Sequence, residues 1–126
     1  MTDTLTFENL DLACAKAGKD IATKPSKELE QLVTDALAVL EEQSVYALFL
    51  FLKTRNGKGT TEKLHEFLKK TPRQVPLLSG NADLFTSLHG MANDLDKLLL
   101  AHDLVRQSLV YACYHARLRE ESEVRT

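Results

Sequence analysis

Apolar residues recur along the C-terminal third of the chain with helical spacing. Leu84, Leu88, Met91, Leu95, Leu98, His102, Val105, Leu109, Ala112 and Ala116 follow one another at alternating steps of four and three. That spacing belongs to a helix that buries a narrow seam against other helices. Only His102 among them is strongly polar, and Phe85, Leu99 and Cys113 widen the stripe. The pattern predicts one long core-bearing helix. Asn81 would cap it, Asp83 would favour its first turn, Gly90 would bend it, and the charged residues 119–126 would form a frayed tail.

Upstream, shorter amphipathic segments predict the helices that cover this seam. Over residues 4–22, Phe7, Leu10, Cys14, Ala17 and Ile21 share one face, and Gly18 is expected to weaken the helix. Thr23-Lys24-Pro25 breaks it. Ser26 is the expected N-cap of a second helix carrying Leu29, Leu32, Val33, Ala36, Leu37 and Leu40, with an interruption near Ser44. Val45–Leu52 is apolar on every face, which suits a helix in the middle of a bundle or at a subunit contact. Asn56-Gly57-Lys58-Gly59 reads as a flexible loop. Thr60 or Thr61 would then cap a short helix reaching about Lys70, and Thr71–Gly80 reads as an irregular connector. The expected architecture is a single all-α domain over residues 1–126, a compact bundle of about five helices with a long C-terminal one.

Composition narrows the setting. Cys14 and Cys113 show no metal or redox spacing and fall on apolar faces, so they read as small buried hydrophobes of a reduced protein. The first residues lack a signal-peptide pattern, and the longest apolar run is too short to span a bilayer. A soluble cytoplasmic protein is expected, with no membrane partner.

Charge changes the picture more. Between Lys53 and Arg73 stand Lys53, Arg55, Lys58, Lys63, Lys69, Lys70 and Arg73 against only Glu62 and Glu66. This window therefore carries +5 in a chain of net −2, leaving −7 on the other 105 residues. Long basic side chains around a glycine loop suit a polyanion, whose released counterions drive binding. Ordinary solvated lysines are the plain alternative. With Phe67 expected in the core, base stacking has almost no aromatic support here. Arg106 and Arg117, eleven residues apart and close to one face of the long helix, would extend a basic stripe or pair with carboxylates of a neighbouring helix, and the pairing is favoured.

Catalytic patterns fail on inspection. Gly57-Lys58-Gly59-Thr60-Thr61 is not a Walker loop, because Leu52 stands where the pattern needs glycine and no strand precedes it. Glu62 and His65 make one Glu-x-x-His pair where di-metal bundles need two. His102-Asp103 lacks the downstream aspartate of helical phosphohydrolases, which leaves His102 as a core or interface histidine. No nucleophile has a base and an orienting acid. The expectation is a non-enzyme without metal or cofactor.

Two stretches, Leu37–Arg55 (LAVLEEQSVYALFLFLKTR) and the basic Lys58–Arg73, resemble the small helical subunits of CRISPR effector complexes. The resemblance covers a little over a quarter of the chain, and the acidic remainder departs from the overall basic character of many such subunits. It implies a non-catalytic subunit of an antiviral ribonucleoprotein, aligned along a guide RNA and touching other protein subunits. Lys53, Arg55, Lys58, Lys63, Lys69, Lys70 and Arg73 would hold guide or target nucleic acid through phosphates. A helical protein-interaction module, or a homodimer through the Leu84–Ala116 seam, is the second reading.

Overall fold

The computed structural model describes residues 9–73, 75–78 and 83–125, with side chains as far as Leu118. Its elements are α1 (Leu10–Ile21), α2 (Lys27–Glu42), α3 (Val45–Thr54), α4 (Lys58–Lys70), α5 (Leu84–Met91) and α6 (Leu95–Arg125), with no strand among the described residues. The fold is all-α with a long C-terminal helix.

Local chemistry sets most boundaries. The Ser26 hydroxyl accepts from the Leu29 amide and the Ser44 hydroxyl from the Ala47 amide, both at 3.0 Å. Each thereby satisfies an amide that the first helical turn leaves without a carbonyl. Ser44 accordingly separates α2 from α3, at the interruption read from the sequence. Asn9 caps α1 in the same way, its side chain accepting from the Leu12 amide at 2.9 Å. That start lies later than residue 4, and Phe7 falls outside the described residues.

The predicted long helix is two helices. Its heptad spacing runs unbroken through residues 92–94, but the Asp94 carboxylate accepts from the Lys97 amide at 3.1 Å and starts a new helix at Leu95. The chain turns at exposed Ala92, Asn93 and Asp94, while Gly90 lies inside α5. This division raises the expected count of about five helices to six among the described residues. Asp83, not the first turn, is the N-cap position of α5, and its carboxylate accepts from the Thr86 hydroxyl. Asn81 lies outside the described residues.

The break also changes which residues of the seam are inside. Leu84, Leu88, Met91, Val105, Leu109, Ala112 and Ala116 are buried, whereas Leu95 and Leu99 are exposed and His102 sits at the rim. On α6 the buried stripe instead takes in Ala101, Leu104 and Ser108. Its small members let another helix come close. α1 runs parallel to α6, with the Cys14 thiol 3.5 Å from the Leu104 carbonyl and Gly18 pressed against Ser108 and Ala112. α2 runs antiparallel on another side of α6, and α3 folds back on α2. The expected core helix α3 buries Val45, Leu48, Phe49 and Leu52 but leaves Leu50 exposed.

Both cysteines are free and buried. Burial pushes the Cys14 thiol above its ordinary value, a hydrogen bond involving Ser108 opposing the shift. The connector after α4 is anchored rather than loose, since Leu77 and Leu78 are core residues and the Leu78 amide donates to the Leu68 carbonyl at 3.2 Å. Among the described residues, no helix is long and apolar enough to cross a membrane.

Candidate nucleic-acid interface

The basic residues run from the last turn of α3, through the corner where α3 turns into α4, to the last turn of α4 and Arg73 beyond it. At that corner Asn56 takes a positive φ of 56° and the Gly57 amide donates back to the Leu52 carbonyl at 2.8 Å. A Cβ on Gly57 would stand 3.1 Å from that same carbonyl oxygen and 3.0 Å from a Leu52 methyl, so glycine fits the close turn best. Helix α4 consequently begins at Lys58 with Gly57 as its cap, and not at Thr60 or Thr61. The glycine-rich stretch is mostly a helix start.

From there the basic side chains diverge. Lys53, in the last turn of α3, places its Nζ 5.5 Å from the centre of the Phe85 ring, and Lys58 lines the same small cleft. Arg55 pairs with Asp35 at 3.2 Å and lies 5.2 Å from the Phe51 ring centre. Lys69 and Lys70 each reach Glu66 at 3.7 Å. At about 100° per residue, Lys58 and Lys69 share one side of α4, while Lys63 and Lys70 lie roughly 120° away. Lys63 and Lys70 line a cleft against α1 that also contains Lys16, Asp20 and Glu66. Arg73, just beyond α4, is exposed. Lys53 and Lys58 thus share one cleft and Lys63 and Lys70 another, and the cations do not form one continuous strip.

The ion pairs do not remove these cations from use. Every paired side chain is at least one-third exposed, and exposed pairs of this sort contribute about 0–1 kcal/mol. A polyanion that releases bound counterions can displace them. The structure also pairs Arg106 with Glu41 at 3.9 Å and Arg117 with Glu30 at 3.0 Å, both carboxylates on α2. Those two arginines bridge α6 to α2 through pairs that are likewise partly exposed. Lys16 and Lys24 complete the α4 clefts from the N-terminal region. They lie outside the charged window of the sequence, and only the tertiary fold brings them in.

The remaining chemistry-bearing residues are dispersed. His102 Nδ1 lies 3.7 Å from Asp103, at the rim of the fold and not in its core. Glu62 is exposed, while its Glu-x-x-His partner His65 is half-buried. No group of three or more His, Cys, Asp or Glu side chains among the described residues could hold a metal ion. His65 Nε2 is buried without a hydrogen-bond partner among them. Burial, followed by the charge of Lys69, holds this imidazole below its ordinary value near 6.5.

A depressed histidine favours the neutral folded form, so its contribution is complete above the unfolded value and is lost as pH falls through the folded one. Stability is therefore expected to decline as pH drops below about 6.5, and His65→Leu should flatten that part of the profile. Urea midpoints across this pH window test it; an unchanged slope in the variant would assign the decline to other groups. No family model, curated protein or solved structure matches the chain.

Proposed function

We propose that this chain is a non-catalytic, cytoplasmic subunit that grips a nucleic-acid backbone without reading its sequence, as the CRISPR small subunits it resembles would. The observation that carries the reading is the α3–α4 corner. From there along α4 the lysines are exposed or held by weak pairs, no buried carboxylate among the described residues is paired with them, and aromatic surfaces for base stacking are scarce. Phosphate contacts position a strand without specifying bases.

The division of the cations between clefts makes the proposal quantitative. For single strands the affinity exponent is about 0.7 per phosphate contact. Seven simultaneous contacts would weaken binding about a thousandfold between 50 and 200 mM salt; three or four would weaken it about 20- to 50-fold. A strand following one side of the corner gives the smaller figure. Fluorescence anisotropy with labelled single-stranded RNA and DNA of several sequences measures it. A sequence-indifferent 20- to 50-fold loss is expected, together with weakened binding in Lys53→Glu/Lys58→Glu. Absence of binding at 50 mM salt would overturn the proposal.

A protein-docking reading is favoured by a different surface. Leu95, Leu99, Tyr114 and Leu118 on α6 are each more than half exposed. The predicted seam itself is occupied by this chain's own core, so a dimer through its buried members would have to open the domain. The exposed α6 residues are the better surface for neighbouring subunits or self-association, and this reading would take precedence if nucleic acid fails to bind.

A further inference from the structure

We infer that the outward face of α6 pairs with the same face of a second copy of this chain, the two helices running antiparallel. This names the occupant of the exposed α6 surface and rests on the protein-docking reading above, independently of nucleic-acid binding. Leu95 and Leu99 near the start of the helix and Tyr114 near its end are each more than half exposed. Between them stand exposed Asp103 and half-buried Arg106 and Val110. At about 100° per residue, these six positions fall within roughly 100° of the helix circumference. They lie on the side away from the buried Ala101, Val105 and Leu109. Helices α1 and α2 pack on α6 from that buried side.

The order of residues on this face selects the occupant. From its amino end the face runs apolar, apolar, acid, base, apolar, apolar. From its carboxyl end the order is the same, with acid and base exchanged. Two such faces therefore match when laid antiparallel about a two-fold axis level with Leu104 and Val105. Leu95 meets Tyr114 of the second copy, Leu99 meets Val110, and Asp103 meets Arg106. Such a contact uses one patch on both copies and closes at two. A parallel arrangement would set Asp103 against Asp103 and Arg106 against Arg106, opposing like charges.

Both charges can turn to a second copy. Asp103 is 3.7 Å from His102 Nδ1, and Arg106 is 3.9 Å from Glu41. Both separations are too long for hydrogen bonds, and exposed pairs of this kind hold weakly. The two crossed Asp103–Arg106 pairs would set direction and register rather than strength. Affinity would come from Leu95-Leu99 and Val110-Tyr114. Each is an i, i+4 step, the ridge that fits the groove of a facing helix.

Sedimentation velocity at concentrations up to about 1 mM tests the pairing, with a reversible monomer–dimer equilibrium expected. Leu99→Glu should weaken dimerisation about a hundredfold or more, because symmetry repeats the substitution on both copies. Its far-UV circular dichroism should stay native, since Leu99 is exposed. Direction is read by cross-linking with oxidised glutathione. Leu99→Cys chains mixed with Val110→Cys chains should form a disulfide between copies, and neither variant alone should do so. The native Cys14 and Cys113 are buried. A chain monomeric at about 1 mM, or a dimer that survives Leu99→Glu, would overturn the proposal. Self-cross-linking of Leu99→Cys alone, or no cross-link in the mixture, would overturn the antiparallel register. Oligonucleotides short enough for one copy should bind Leu99→Glu as tightly as the native chain, because α4 packs on α1 and α3. A monomeric chain that binds them would sink the dimer alone, and a dimer that does not would sink the backbone-gripping reading alone.

Discussion

Gly18→Val is expected to lower the free energy of unfolding by about 1–3 kcal/mol or more, although glycine is a poor helix former. A Cβ at position 18 would lie 2.5 Å from the Tyr111 Cβ, 2.7 Å from the Ala112 nitrogen and 2.8 Å from the Ser108 carbonyl oxygen. None of these is the tip of a flexible side chain, so α1 and α6 must separate. That movement would loosen Cys14 and Ala17 as well, and strain the bond from the Tyr111 hydroxyl to Asp11 at 2.9 Å. Even Gly18→Ala should destabilise, because the clash outweighs a propensity gain of about 1 kcal/mol. Gly90→Ala is the control: its Cβ meets nothing within 4 Å in α5 and should stabilise by up to ~1 kcal/mol. Urea denaturation followed by far-UV circular dichroism compares the three. A Gly18→Ala protein as stable as the native chain would refute the close α1–α6 approach.

Phe49→Ala should cost about 3–5 kcal/mol and Leu48→Ala about 2–5 kcal/mol, while Leu50→Ala should stay within about 0.5 kcal/mol. All three belong to the same unbroken apolar run, and their sequence neighbourhoods are nearly identical. Burial distinguishes them: Phe49 and Leu48 are fully buried, whereas Leu50 is 44% exposed. Truncating either buried side chain removes its transfer energy and leaves a cavity that neighbours fill only in part. A small domain is typically stable by 5–15 kcal/mol, so Phe49→Ala would consume a large share. The same denaturation series reads the contrast, and comparable losses at positions 48 and 50 would mean that a further partner covers Leu50.

What could be read from the chain was the chemistry of near neighbours. Ser26 and Ser44 announce helix starts because a hydroxyl reaches an amide only three residues away. The apolar stripes of α2 and α4 are likewise local. The break between α5 and α6 was hidden because the seam keeps its period across Ala92–Asp94, and periodicity does not register a turn that preserves the phase. Gly18 looked like a helix-weakening residue because its reason for being glycine lies on α6, some ninety positions away. Charge behaved similarly. Seven cations in one window of sequence suggested one patch, but the turns of α4 divide them, and Lys16 and Lys24 rejoin the site from outside the window.

The pairing of α1 with α6 also orders events during synthesis. Cys14 and Leu104 are separated by 90 residues, a stretch that a ribosome takes on the order of ten seconds to add. The α2–α3 hairpin can close soon after it emerges, because its contacts are local. Throughout that interval the face of α1 bearing Cys14 and Ala17 has no α6 to cover it. A nascent chain stalled before residue 100 should therefore expose the Cys14 thiol to alkylation, and release of the full chain should shut it away.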